Sequence, residues 1–231
     1  MEQNLDFLEF PKMARLSREM IITEKIDGTN SQIFIWDEEK DIKIEDGTVQ
    51  KKGKKPDNIP FIYSDGNFHI ATGSRTRWIT PKDDNYGFSK WVFENSGKLI
   101  ELNDGRHFGE WWGSGVQRGY GLQKGDKRFS LFNVSRWALH GTQPRLIPNA
   151  DPTIEKFQDV LPEICSLVPE LYRGQFDTQK INEVLEDLKI NGSYASKGFM
   201  KPEGIIAFHV AANIGFKKTI EKDEIPKSLV R

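Results

Sequence analysis

The stretch SQIFIWDE, residues 31–38, sets the strongest limit on the fold. Strand side chains alternate between faces, so Ile33 and Ile35 point one way and Phe34 and Trp36 the other. Both faces are apolar. Such a strand has to be covered on both sides, which calls for layered structure rather than one solvated sheet. Further β-rich runs are HFGEWWG (107–113), RFSLFNV (128–134), GIIAFHV (204–210) and IGFKKTI (214–220). KDIKIEDG (40–47) reads as the return strand of a hairpin with 31–38, and VQKKGKKPDNIP (49–60) as a basic loop.

After Pro148 the texture changes. PTIEKFQDVLPEICSLVPEL (152–171) and DTQKINEVLEDLKING (177–192) read as helices. In the second, Ile181, Val184, Leu185 and Leu188 recur at helical spacing, Asp177 or Thr178 caps the start, and Gly192 stops it. The expected class is α+β: mainly antiparallel β-sheets with flanking helices, one domain over residues 1–231, and a helical segment around 150–192.

Composition narrows the function classes. With 231 residues, 37% hydrophobic and 29% charged, the chain is an ordinary globular protein with a formal net charge of −1. Any nucleic-acid contact must therefore come from a local basic patch. The lone Cys165 excludes an internal disulfide and a cysteine-based zinc site. There is no apolar run of about 18 residues to span a membrane, and the acidic MEQNLDFLEF start lacks a secretory pattern. The expected location is cytoplasmic. Phosphate-loop, dinucleotide-turn, zinc-helix and nucleophile-elbow motifs are absent. His69, His107, His140 and His209 are scattered and read as structural.

TEKIDGTN, residues 23–30, sets Lys25 just before an Asp-Gly turn signal. On these eight residues alone, a hairpin with an incidental lysine and a nucleophile in a fixed frame are equally good readings. The rest of the chain tips the balance. Lys25-Ile26-Asp27-Gly28-Thr29-Asn30 resembles motif I (K-x-D-G-x-N) of the covalent nucleotidyltransferases, the polynucleotide ligases and mRNA capping enzymes. The longer stretch is most similar to RNA ligases of the phage RNA ligase 2 type. Phe108-Gly109-Glu110 resembles motif III, and Arg128 to Asn133 resembles motif IIIa. Pro202-Glu203-Gly204-Ile205-Ile206 resembles motif IV, and Phe216-Lys217-Lys218-Thr219 resembles motif V. Gly73-Ser74-Arg75 and Phe10-Pro11-Lys12 resemble two further family elements. The resemblance runs from about residue 10 to 220, and its strength is the order of the motifs.

The resemblance implies a nucleotidyltransferase (ATP-grasp-like) domain whose cofactors are ATP and magnesium (or manganese). Lys25 is then the nucleophile that forms a lysine–AMP phosphoramidate. A free lysine amine has a pKa of about 10.4, so the site has to favour its neutral form through burial, nearby cations and a metal. Lys217 and Lys218 are the motif V cations. The family spaces two such lysines by one residue, whereas these are adjacent and point to opposite faces of a strand. Lys218 is the favoured phosphate contact. Glu110 and Glu203 are implied as metal or nucleotide-sugar contacts, in keeping with magnesium's preference for carboxylates, phosphates and water. Phe132 is the implied adenine platform, with Phe129 its rival on the opposite face. Asn133 stands where the family often has aspartate. Glu24 is a candidate adenine contact, Asp27 and Asn30 belong to the nucleotide site, and Arg75 (with Arg77 as rival) is a candidate for the sugar or a nucleic-acid end.

Few residues follow Lys218, which leads to the expectation of a domain without an OB-fold. Its expected function is ATP-dependent ligation of nucleic acid ends, RNA favoured over DNA. The alternatives are a minimal DNA ligase, a capping guanylyltransferase and a nucleotide- or end-binding module without turnover. Candidate grips are Lys51, Lys52, Lys54 and Lys55, and Arg118 with Tyr120; a partner protein is a further source of grip.

Overall fold

The computed structural model describes residues 10–44, 48–139, 141–147, 156–221 and 223. In chain order the strands begin with β1 (Glu19–Lys25), β2 (Thr29–Asp37), β3 (Asp41–Lys43), β4 (Val49–Lys51), β5 (Phe61–Asp65), β6 (Phe68–Ser74) and β7 (Trp78–Ile79). Helices α1 (Phe88–Glu94) and α2 (Ser96–Leu99) follow. Then come β8 (Gly105–Gly113), β9 (Lys127–Leu131), β10 (Trp137–Ala138), β11 (Leu146–Ile147), β12 (Lys156–Phe157), β13 (Asp159–Val160), β14 (Ser166–Leu167) and β15 (Glu170–Gln175). Helix α3 (Thr178–Asn191) and strands β16 (Gly204–His209) and β17 (Ile214–Thr219) complete the described elements. The architecture is α+β, mainly antiparallel, as its alternating apolar runs require.

Two sheets dominate. The larger has the order β14-β9-β8-β2-β6-β5, with β7 paired to β6. The smaller has the order β15-β1-β16-β17. On the larger sheet, Ile33, Ile35 and Ile70 face Phe88, Val92 and Leu99 of the short helices in one buried cluster. The opposite face of β2 is covered too, but by side chains rather than a further layer. The Arg106 guanidinium lies over Phe34, whose ring also packs against Trp78, and the Lys52 amine sits 3.9 Å from the Trp36 ring centroid.

On the smaller sheet, Met20 and Ile22 of β1 and Ile205 and Ala207 of β16 pack against Leu185 and Leu188 of α3. Burying each such aliphatic side chain contributes about 1.5–3 kcal/mol, which seats the helix on one face of the sheet. Asp177 caps α3 by accepting from the Gln179 amide (2.7 Å), and Gly192 ends it, as the sequence predicts. A third cluster, containing Ile21, Ile26, Trp112, Tyr120 and Val134, joins the two sheets.

Three expectations are corrected. The predicted helix at 152–171 is extended in its described part, as β12 to β15. Pro162 and Pro169 break up any helical run there by removing amide donors and clashing with the preceding turn. Residues 152–155 lie outside the described residues. The strand at 41–43 pairs with β4 rather than with β2, so the start of the predicted basic loop is itself a strand. Finally, the Asp27-Gly28 turn does not close a hairpin: β1 belongs to the smaller sheet and β2 to the larger.

Candidate active site

Because residues 26–28 step from one sheet to the other, Lys25 ends one sheet exactly where the other begins to form the opposite wall. A cleft of about 980 Å³ lies between them, lined by Lys25, Asn30, Glu110, Phe132 and Lys217 among others. The crossover is tied down from three sides. Ile26 is buried in the joining cluster. The Asp27 amide donates to the Tyr120 hydroxyl (2.9 Å), and the Asp27 carboxylate accepts from Arg118 Nε (2.9 Å). Arg118 Nη1 also donates to the carbonyls of Lys201 (3.0 Å) and Pro202 (3.4 Å). One guanidinium thus ties the crossover to the segment leading into β16. Gly28 fits because of close approach: an added Cβ would lie 2.4 Å from the Trp111 carbonyl oxygen and 2.8 Å from Trp112 Cβ.

The Lys25 amine is ion-paired with Glu203. The pairing follows from register, since Lys25 of β1 lies opposite Gly204 of β16. Glu110 reaches the same place from β8. Its Oε1 accepts from the Gly28 amide (3.0 Å) and its Oε2 from Asn30 Nδ2 (2.7 Å). Burial pushes the Glu110 carboxyl up to about 7; the bonds from Asn30 and Gly28 and the charge of Lys25 oppose this, and the charge of Glu203 adds to it. Two acidic side chains therefore share one pocket with a lysine between strands distant in sequence.

A family model described as RNA ligase matches residues 18–219. The chain belongs to the RNA ligase family. Among solved structures, those similar to this chain include RNA ligases from Naegleria gruberi. A lysine-to-alanine variant with ATP and Mn is 14% identical, with a TM-score of 0.49, and the match covers 88% of this chain and 50% of that one. An arginine-to-alanine variant with ATP and Mn is 17% identical, with a TM-score of 0.48, covering 89% and 51%. A lysine-to-alanine variant in the apo state is 15% identical, with a TM-score of 0.47, covering 88% and 50%. The chain thus spans about half the length of these structures. No curated protein matches it.

Most of the residues singled out in the sequence converge on the cleft. Lys25, Asp27, Asn30, Arg75, Glu110, Phe132 and Lys217 line it, and Glu203 meets Lys25 there. Phe132 is 41% exposed, whereas its rival Phe129 is fully buried among Phe88 and Trp91. Asn133 lines the cleft beside Phe132, and its Oδ1 accepts from the Arg136 amide (3.2 Å), so it shapes the turn after β9. The rival Arg77 is held outside by its ion pair with Asp83.

Other expectations change. Lys218, the favoured phosphate contact, points away: its amine donates to Asn182 Oδ1 on α3 (3.1 Å). Strand alternation leaves Lys217 on the cleft side. Glu24 lines the cleft, but its carboxylate is engaged by the protein itself. That group is buried on the other face of β1 and accepts from Ser193 Oγ (2.6 Å) and the amides of Tyr194 (2.8 Å) and Ala195 (2.9 Å). Burial raises its pKa in spite of those bonds.

The expected nucleic-acid grips are largely engaged within the ligase fold. Lys52 pairs with Asp104 (2.6 Å), Lys51 with Asp41 (2.9 Å), and the Lys55 amine sits 5.0 Å from the Phe61 ring centroid. Tyr120 is fully buried, and Arg118 spends its donors on the crossover. Three of the histidines do read as structural: His107 Nε2 bonds the Asn103 carbonyl (2.9 Å), His209 Nε2 the Leu16 carbonyl (2.9 Å), and His69 lies between Ser64 and Glu38. His140 lies outside the described residues.

Sequence reasoning missed Arg106 and the structural tie made by Arg118. Arg106 also lines the cleft, and period-two counting back from Glu110 along β8 would have found it. Arg118 was assigned to nucleic acid, but its tie to Asp27 has no sequence signal because it joins two loops. As for a metal, no group of three or more His, Cys, Asp or Glu side chains gathers among the described residues. Glu110 and Glu203 form a two-carboxylate oxygen set, which fits magnesium, an ion that keeps several waters and takes phosphate oxygens as further ligands. Among the described residues, no helix is long and apolar enough to cross a membrane.

Proposed function

We propose that the chain is the adenylyltransferase domain of an ATP-dependent RNA ligase and that it works through a lysyl-AMP intermediate on Lys25. The observation that carries this reading is the Lys25–Glu203 ion pair, with Lys25 lining a nucleotide-sized cleft in an RNA ligase family fold. Glu203, the ion-pair partner of Lys25, takes the proton that the lysine must lose. The neutral amine attacks the α-phosphorus of ATP; the N–P bond forms and the bond to the bridging oxygen breaks, releasing pyrophosphate. Lys217, on the cleft side of β17, stabilises the charge that develops on the phosphates. Phe132 stacks on the adenine, and Arg75 contacts the sugar or an incoming end.

Glu110 and Glu203 would hold a divalent ion, magnesium or manganese, which would supply charge neutralisation at the phosphates. Asn30 and the Gly28 amide orient Glu110 for this. In the following step a 5′-phosphate oxygen of RNA attacks the phosphorus of lysyl-AMP, and the P–N bond breaks to return the lysine. A 3′-hydroxyl then attacks the activated 5′-phosphate, the phosphodiester forms, and AMP leaves. The chain acts as one domain in these steps, in the cytoplasm. Grip on the nucleic acid comes from its own cleft surface or from a partner.

The test is incubation with α-labelled ATP and magnesium, followed by sealing assays on RNA and DNA ends. Wild type forms a covalently labelled band that survives alkali and is released by acid, as a P–N bond requires, Lys25→Ala forms none, and RNA ends are sealed in preference to DNA. Equal labelling of Lys25→Ala would overturn the mechanism. ATP binding without label would favour a binding module, and preferential sealing of DNA would favour a minimal DNA ligase.

A further inference from the structure

Two exposed aromatic rings stand side by side in the cleft, and adenine binding accounts for only one. Phe108 is 52% exposed and Phe132 is 41% exposed. Gly109 lies opposite Leu131 in the antiparallel β8–β9 ladder, and the Phe132 amide donates to the Phe108 carbonyl (3.0 Å). Phe108 and Phe132 are therefore the next cross-strand pair and project from the same face of the sheet. Both line the cleft, and neither belongs to any of the three buried clusters. Large apolar side chains left open in a concave, polar-rimmed site mark ligand contact rather than core packing.

A cation stands on the same face. Arg106, two residues before Phe108 on β8, is exposed and also lines the cleft. Its guanidinium lies 4.4 Å from the Phe34 ring centroid and 5.2 Å from that of Trp78, and Nη1 donates to Gln32 Oε1 (2.9 Å). Those contacts fix its orientation without neutralising it, and among the described residues it has no carboxylate partner. The strand rise puts Arg106 about 7 Å from Phe108, so a base on the ring leaves a neighbouring phosphate within reach of the guanidinium.

We propose that Phe108 and Arg106 form a second nucleotide subsite, which takes the unpaired terminal nucleotide of an RNA strand beside the adenosine. The base stacks on Phe108, and Arg106 pairs with a backbone phosphate. The proposal rests on the ligase reading and deepens it by naming single-stranded ends as the substrate class. A ring platform needs an open base face, which an unpaired end offers and a stacked duplex does not.

The test is RNA affinity without ATP, measured by fluorescence anisotropy on a 5′-phosphorylated single strand and on a blunt duplex. Phe108→Ala weakens single-strand binding by about 5- to 150-fold, the range for loss of one base–aromatic stack. Phe108→Trp restores it, and Phe93→Ala, which removes a half-exposed ring on α1 outside the cleft, leaves it unchanged. Arg106→Ala weakens it and lowers the salt slope by about 0.7, as for one phosphate contact on a single strand. Unchanged binding by Phe108→Ala, failure of Trp to restore it, or an equal loss on the blunt duplex would overturn the subsite. ATP labelling of the wild type runs alongside. Absence of label counts against the ligase reading, whereas label with Phe108-independent RNA binding counts against this subsite alone.

Discussion

Lys25 and Glu203 are 178 positions apart in the chain, yet their side chains form an ion pair because Gly204 is the register partner of Lys25 across β1 and β16. The carboxylate immediately before that partner is brought to the amine by strand pairing alone. Glu203→Gln keeps the size and an acceptor but removes the charge. It lowers the single-turnover rate of ATP labelling by about 10²- to 10³-fold, the scale of losing one preorganised electrostatic group. Wild-type labelling by Glu203→Gln would contradict this.

Glu110 makes stability depend on pH. Its carboxyl is raised from the ordinary 4.5 to about 7, chiefly by burial. The fold therefore favours the protonated form: this contribution is fully present below about 4.5 and is lost as pH rises through about 7. The loss is on the order of 3 kcal/mol. Glu24 is raised as well and slopes in the same direction, so the useful comparison is wild type against Glu110→Gln. Denaturant unfolding between pH 4.5 and 8 should show a flatter profile for the variant. With the metal role proposed for Glu110, which needs the ionised carboxylate, magnesium should raise the wild-type Tm more at pH 8 than at pH 5.5.

The adjacent lysines of β17 separate cleanly. Lys217→Ala removes the cation on the cleft side and lowers labelling by about 10²-fold or more. Lys218→Ala removes a bond to Asn182 on the far face and changes labelling by less than about threefold. Rates for the two variants decide it, and the reverse order would place the phosphates on the other face of the strand.

Arg118 should behave as a positioning residue. Arg118→Ala leaves the Asp27 carboxylate and the Lys201 carbonyl without their donor and costs about 1–3 kcal/mol in unfolding free energy. Labelling slows because the crossover carrying Lys25 loosens. Arg118→Lys, a single point donor instead of a fork, recovers only part of either effect. A variant with unchanged stability and labelling would show the tie to be idle.

The most legible parts of the sequence were those whose pattern is local. The period-two runs at 107–113, 128–134, 204–210 and 214–220 became strands, and the 3.6-period run over Ile181 to Leu188 became α3 with its predicted cap. Where local signals conflicted, reading failed. The segment 156–171 has helical spacing interrupted by prolines, and its described part forms short strands.

The sequence by itself determined which side chains are candidates for the chemistry, because the ordered motifs that resemble the family's point to Lys25, Glu110, Phe132 and Glu203 before any coordinates are known. Only the tertiary structure decided what each one faces. It made Asp27-Gly28 a crossover between sheets instead of a hairpin, turned Glu24 toward Ser193, Tyr194 and Ala195, engaged Lys52 with Asp104, and chose Lys217 over Lys218. The reason is that side-chain direction depends on strand register and on which face of a strand is covered. Both are set by partners far away in the chain, such as α3 behind β1 and β8 beside β2.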